Sequence, residues 1–289
     1  MQSSELILHR NGSIYHLALR PEQVAPLLIT VGDPERVPKV SRYFDRIESR
    51  VRKREFVTHT GWLGSTRLSV ISTGIGTDNV DIVLNELDAL FNIDLAERQP
   101  KAVLTPLTLI RIGTTGGLQA EVPVDSWVAS SAAFGLDGLL HFYDAPAMQH
   151  HPAVGALRQH CAGQWDFPLS PYFAEGDSGL LRTFEPGFQQ GITATNSGFY
   201  GPQGRRLRAA VAQPAYLDVL QKFDFQGSKI LNLEMETAAI YGLANLLGHR
   251  AVSLSAVLAN RAAGTFSRQA ERTVRLLIEH VLEKISGGI

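Results

Sequence analysis

Short apolar runs alternate with segments of helical spacing along this chain. Leu27–Val31, Leu68–Ser72, Leu109–Gly113, Trp127–Ala132, Gly191–Thr195 and Val252–Leu258 are continuous stretches of apolar and small residues rather than alternating ones. Strands covered by helices on both faces have that pattern. Val80, Val83, Leu84, Leu87 and Phe91 mark one face of a helix from Asp78 to about Asn92, with Thr77 or Asp78 available as its cap. Val274, Leu277, Ile278, Val281, Leu282 and Ile285 form a single apolar stripe, which predicts a helix ended by Ser286-Gly287-Gly288. Another helix is predicted from Glu236 through Leu247, stopping at Gly248, a residue suited to a left-handed C-cap. Strands and helices in this order predict an α/β fold with a largely parallel sheet. No repeat or linker divides the chain, so one domain over residues 1–289 is expected. Ile93–Thr108 and Tyr143–Pro171 contain prolines without a clear period, and are expected to be irregular surface insertions.

Composition narrows the function classes. A chain of 289 residues with 44% hydrophobic and 19% charged residues is not a disordered one. Lys plus Arg is 27 and Asp plus Glu is 28, a net charge of −1, so no overall field draws the chain to nucleic acid. A lone cysteine, Cys161, excludes an internal disulfide and a multi-cysteine zinc site. No stretch reaches the ~18 consecutive apolar residues of a membrane helix, and no secretory signal is legible, so a cytoplasmic location away from membranes is expected. Gly74-Ile75-Gly76-Thr77-Asp78-Asn79 begins like a dinucleotide fingerprint, but Asn79 stands where its third glycine belongs. His150-His151 reads as a solvated loop pair. Arg50, Arg52, Lys53 and Arg54 are flanked by Glu48 and Glu55, which makes most of that cluster a solvated mixed-charge face.

Three predicted strands run into loops rich in Gly, Asp, Thr or Arg: LLITVGDPER, LIRIGTTGG and SAVLANR. Ligands of α/β sheets bind outside the carboxyl ends of the strands, so an enzyme or small-molecule binder is the leading class. Arg36 and Arg111, with glycine amides and threonine hydroxyls close by, are the donors that a phosphate requires. In Asn232-Leu233-Glu234-Met235-Glu236-Thr237, an extended backbone would place Glu234 and Glu236 on one face and Met235 on the other. Those carboxylates either begin a helix, where acidic groups suit the positive dipole end, or face sugar hydroxyls.

Taken in order, YHLAL, VGDPER, KREF, STGIG, RIGTTGGLQ, FYGPQGR, NLEMETA and a strand ending in NR resemble the nucleoside phosphorylase superfamily. The resemblance extends from Tyr15 to Arg261 and is nearest the uridine-specific branch. It implies a three-layer α/β/α sandwich around a central mixed, mostly parallel sheet. It also implies a pentosyltransferase that converts uridine and phosphate to uracil and α-ribose 1-phosphate. Gly32, Arg36, Arg111 and Thr114 would hold phosphate, joined by Arg54 from a neighbouring subunit. Met235, Glu236 and Thr114 would bind ribose, with His16 of the neighbour at the 5′-hydroxyl. Phe199 would pack on the nucleoside, beside Gly116. Gln203 and Arg205 would read the base, supported by Arg261. Arg111, Gln203, Arg205 and Glu236 would carry the catalysis, with no redox cofactor and no catalytic metal.

The same resemblance implies a homodimer, or a hexamer built of dimers, sharing active sites. Roughly Asp94–Pro106 is longer than in compact bacterial members, which leaves the assembly size open. Those members hold a monovalent cation at a subunit interface with a glutamate, a backbone carbonyl and a serine. Glu55 and Ile75 match the first two, and Asn79 stands in the serine place. Two alternatives stay open: a purine or broad-specificity phosphorylase or nucleosidase of this fold, and a non-catalytic nucleoside-binding protein. Against a purine site, no acid occurs in Ala259-Asn260-Arg261, where purine-specific relatives carry an aspartate.

Overall fold

The computed structural model describes residues 1–165 and 170–288. The chain opens with β1 (Leu27–Val31) and α1 (Arg36–Ser41), then the antiparallel strands β2 (Arg46–Lys53), β3 (Phe56–Leu63) and β4 (Thr66–Ser72). Helix α2 (Thr77–Asn92) and the small hairpin β5 (Ile93–Asp94) and β6 (Gln99–Pro100) precede the long strand β7 (Thr108–Gly117). Next come β8 (Trp127–Gly135), α3 (Pro146–Gln149), α4 (Pro152–Cys161), β9 (Tyr172–Glu175), α5 (Ser178–Thr183) and β10 (Gln189–Thr195). The last part holds α6 (Tyr216–Gln221), β11 (Asp224–Phe225), β12 (Ser228–Glu234), α7 (Thr237–Leu247), β13 (Arg250–Asn260), β14 (Thr265–Phe266) and α8 (Ala270–Ser286).

The pattern of continuous apolar strands is explained by two cores, one on each face of the sheet. In register, Leu28, Leu109 and Ala251 turn toward α2 and α7, while Ile29, Ile110 and Val252 turn toward α1, α5 and α8. A third core packs α4 and α6 against Phe134, Phe173 and Ile192. Helix, sheet and helix thus form the expected three layers. The apolar stripe of α8 is wholly inside, with Leu277 and Val281 fully buried. Truncating such a leucine typically costs about 2–5 kcal/mol.

The sheet is mixed, in the order β11-β12-β10-β8-β13-β7-β1-β4-β3-β2. Its parallel pairs are β1 with β4 and β7, β10 with β8 and β12, and β13 with β7. Strand β12 also pairs antiparallel with β7, through Asn232 to Gly117 and Leu233 to Gly116. This pairing closes β7, β13, β8, β10 and β12 into a ring. It also sets the GTTGG segment beside NLEME, so residues over a hundred positions apart meet.

Several local expectations are corrected. Neither Thr77 nor Asp78 caps α2; the N-cap is Gly76, at φ +99°, with no side-chain cap bond. Tyr143–Pro171 is not irregular throughout, because α3 and α4 lie within it; its residues 166–169 fall outside the described ones. His151 is no solvated loop residue: its Nδ1 accepts from the Ala153 amide at 3.2 Å as the cap of α4, and its ring stacks on Phe173. Arg50, Arg52 and Lys53 of the basic cluster lie in β2, whose residues alternate between exposed and half-buried, the solvated face expected, and Arg54 lies in the turn that follows. Gly248 is left-handed, at φ +74°, and ends α7 as predicted.

Candidate active site

The carboxyl ends of β1, β7 and β12, the loop after β10 and the β13–β14 hairpin enclose a cleft of about 370 Å³. Gly32, Arg36, Arg111, Thr114, Gly116, Phe199, Gln203, Arg205, Met235 and Glu236 all line it. The structure therefore brings together the residues that the sequence assigned to phosphate, sugar and base, apart from His16, Arg54 and Arg261.

Cations gather at one end. Strand β7 carries Arg111 inward, and its Nη2 lies 2.5 Å from Glu236 Oε2 and 3.0 Å from Glu234 Oε2. Nη1 donates to the hydroxyls of Ser255 (3.1 Å) and Ser253 (3.4 Å) on the adjacent β13. A side chain at position 113 would collide with this guanidinium, since a Cβ there would fall 1.9 Å from Nη1. Gly113 thus makes the room that Arg111 occupies. Burial alone would lower the Arg111 pKa, but Glu234 and Glu236 outweigh it and hold the group above its ordinary value. Arg36, at the start of α1, donates from Nη1 to the Ile112 carbonyl at 3.2 Å, so it folds back over the strand end. Burial, reinforced by Arg111, holds Arg36 below the usual guanidinium range, with Asp33 opposing. The Arg36 guanidinium, held by a neutral carbonyl, favours an anionic ligand there, whereas the charge of Arg111 is matched by the two glutamates.

The two glutamates divide the alternatives left open by the sequence. Glu234 Oε2 accepts the amides of Glu236 and Thr237, each at 2.9 Å, and Oε1 accepts from Thr195 Oγ1 at 2.6 Å. Glu234 therefore satisfies the first amides of α7, as a helix start requires. Glu236 faces the cleft, its Oε1 accepting from the Gly76 amide at 2.8 Å. Burial raises the Glu236 pKa; Arg111 and the Gly76 amide oppose that rise, and the neighbouring Glu234 adds to it. Met235 lines the same cleft, so the chain leaves extended geometry here and the opposite-face expectation for Met235 is corrected.

At the other end, Gln203 is only 3% exposed and belongs to a 3-10 turn at Gly201–Gln203. Arg205 Nη1 donates to Gln203 Oε1 and to the Phe199 carbonyl, both at 2.7 Å. Its guanidinium sits 3.7 Å from the centre of the Phe199 ring, an arrangement that steadies both side chains. Burial, followed by the nearby Arg261, lowers the Arg205 pKa. Arg261 lies just outside the cleft lining, its amide bound to the Gly117 carbonyl at 2.7 Å. Asn260 faces away: its Nδ2 donates to the carbonyls of Gln119 and Val122, and its Oδ1 accepts from the Ala263 amide.

His16 and Arg54 are not in this cleft. They flank Tyr15, whose ring meets His16 edge-on at 4.8 Å and lies 5.9 Å from the Arg54 guanidinium. Glu86 holds His16, accepting from Nδ1 at 2.7 Å and from the backbone amide at 3.0 Å. The residues read as a neighbour's contribution thus share one patch.

Asp33, Ile75, Gly113, Leu258, Ala259 and Phe266 line the cleft too, although the sequence assigned none of them to phosphate, sugar or base. Ser253 and Ser255 carried a signal, two hydroxyls at period 2 in an otherwise apolar strand. The Gly74–Gly76 segment, set aside as a dinucleotide motif, supplies the amide that holds Glu236.

The Phosphorylase superfamily model matches residues 26–285. The chain is 31% identical over 281 residues to the uridine phosphorylase of Thermococcus kodakarensis, covering 97% of this chain and 90% of that protein. To the uridine phosphorylase of Haemophilus influenzae it is 27% identical over 256 residues, covering 86% and 87%. Among solved structures, a Trypanosoma brucei nucleoside phosphorylase with uridine phosphorylase activity superposes with a TM-score of 0.88 at 27% identity, covering 98% of this chain and all of that one. With Arg36, Arg111, Gln203, Arg205 and Glu236 around one cleft, the chain belongs to the phosphorylase superfamily.

Proposed function

We propose that this protein catalyses the reversible phosphorolysis of uridine. The observation that carries the reading is the Gln203–Arg205 pair, fixed at one end of a cleft whose other end holds Arg36, Arg111 and Glu236. Gln203 offers an amide N–H to uracil O2 and a carbonyl to N3–H. Arg205 has donors only, so it suits O4 and opposes the amino group of cytosine. Relatives named as uridine phosphorylases support this reading. The stretch where purine-specific members carry an acid reads Ala259-Asn260-Arg261, and its one amide side chain, Asn260, bonds to backbone carbonyls.

Phosphate, held by Gly32, Arg36, Arg111 and Thr114, attacks C1′ from the face opposite the base. The C1′–O bond forms as the C1′–N1 bond breaks, and its electron pair leaves with uracil. Negative charge then spreads over O2 and O4, where Gln203 and Arg205 donate, a preorganised stabilisation of the leaving group. Glu236 accepts from the ribose hydroxyls, and Met235 packs on the sugar. Uracil takes a proton from solvent, leaving α-ribose 1-phosphate. Phosphate is a co-substrate, and these steps use no redox cofactor or metal.

In this reading the working unit is a homodimer, or a hexamer of dimers, in which His16 and Arg54 complete a neighbour's cleft. Its place is cytoplasmic nucleoside salvage; among the described residues, no helix is long and apolar enough to cross a membrane. Measuring kcat/KM on uridine, cytidine and inosine tests the base assignment. Uridine should exceed cytidine by about 10⁴-fold, as polar pairing sites discriminate. Comparable turnover of inosine would overturn it.

A further inference from the structure

Asn79 belongs to the first turn of α2, and its side-chain amide donates to the Ile75 carbonyl at 3.2 Å. That carbonyl and the Gly76 amide belong to one peptide group, which is planar. The Gly76 end of the same plane donates to Glu236 Oε1 at 2.8 Å. Asn79 and Glu236 therefore grip opposite ends of a single rigid unit, and each bond polarises the other in the same sense. The surroundings are tight. A Cβ on Gly74, whose φ is +74°, would lie 2.4 Å from Asn79 Nδ2 and 3.1 Å from Glu55 Cγ. Gly74 is thus threaded between those two side chains.

The monovalent cation implied by the family resemblance does not fit this arrangement. A cation needs oxygen lone pairs turned toward it. Here the Ile75 oxygen accepts from Asn79 Nδ2, so the third position turns an N–H donor, not a lone pair, toward the place of the ion. We propose that Asn79 is a positioning residue that takes over the work of a bound ion. It ties down the Ile75 carbonyl, fixes the Gly76 amide on Glu236, and makes the enzyme independent of Na⁺ and K⁺. The inference rests on the reading of Glu236 as the ribose acceptor.

The test measures kcat and the separate KM values for uridine and phosphate in choline, sodium and potassium chloride at equal ionic strength. Wild type should give the same constants in all three salts. Asn79→Ser, which removes the amide and restores the bacterial donor set, should raise the uridine KM in choline about fivefold, the worth of one hydrogen bond, with the phosphate KM little changed, and should recover in K⁺ or Na⁺. Asn79→Asp, close in shape but lacking the N–H, should show the same selective rise and become activated by K⁺. Saturable activation of wild type by either ion would overturn the proposal, since Asn79 would then be turning its carbonyl oxygen to a bound cation. So would a serine variant whose uridine KM in choline is unchanged, or one that weakens both substrates equally. Should neither variant fold, the salt comparison on wild type decides. Wild type that turns over no uridine at all would instead contradict the functional reading on which the inference rests.

Discussion

Arg111 lies between two carboxylates, 2.5 Å from Glu236 and 3.0 Å from Glu234, with all three side chains almost wholly buried. A single cation thereby ties the arginine end of the cleft to Glu236 and to the start of α7. Removing one partner of a buried ion pair leaves uncompensated charge, a loss of about 3–5 kcal/mol. Arg111→Ala should therefore destabilise the fold by that amount in urea titration, as well as abolish turnover. Glu236→Gln keeps the shape and should lose activity with a much smaller change in stability. Equal stability of Arg111→Ala and wild type would contradict this account of the cluster.

Arg205 stacks on Phe199 and holds Gln203 in place. Arg205→Ala should lower kcat/KM on uridine by about 10²–10³, the usual loss for one well-placed donor to developing charge. Near wild-type turnover would remove Arg205 from the leaving-group role.

The acid limb of the pH profile should report Glu236. Burial raises its pKa, reinforced by Glu234 and opposed by Arg111 and the Gly76 amide. Its folded pKa lies above the unfolded one, so its contribution to stability is complete below the unfolded value and is lost as pH rises through the folded value. Activity runs the other way, because only the ionised carboxylate is a pure acceptor for the ribose hydroxyls. The nucleoside Kd should therefore rise as pH falls through a point above the ordinary glutamate range, and Glu236→Gln should flatten that limb. A wild-type limb that the glutamine variant retains would assign it elsewhere.

Cys161 is packed on α4 against the third core, and burial pushes its thiol up to about 11. The thiolate is the reactive form, so iodoacetamide should leave the native protein unlabelled at neutral pH and modify it in urea. Rapid labelling of the native state would mean that α4 opens readily.

Much of this was legible in the sequence, for identifiable reasons. Central strands such as Leu27–Val31 are covered on both faces, so they carry an unbroken apolar signature that ends where the loop begins. Strand β2 escaped notice because Arg46, Glu48, Arg50 and Arg52 face solvent on an edge, where alternating charge resembles a loop. The cleft residues were readable as motif positions, yet their grouping depends on the β7–β12 pairing, a contact no local pattern encodes. Glu234 and Glu236 sit two residues apart and both line the cleft, and only the Thr195 and Thr237 bonds mark Glu234 as the one that holds the first amides of α7. The Gly76 amide was invisible because a backbone donor leaves no trace in residue type.

The proposed contribution of Arg54 to a neighbour's cleft can be tested by complementation. In a two-fold pair, a subunit carrying Arg54→Ala and one carrying Glu236→Gln together form one intact site and one doubly altered site. Mixing the inactive variants under exchange should restore about a quarter of wild-type activity, as two-fold symmetry requires. No recovery, although exchange is verified, would show that Arg54 serves its own cleft or none.

The measurement closest to the central claim is uracil release from uridine, followed by absorbance with and without phosphate. The account predicts release only when phosphate is present, with α-ribose 1-phosphate formed in equal amount. Equal release without phosphate would contradict it and make the protein a hydrolase, leaving Arg36 and Arg111 without their assigned ligand.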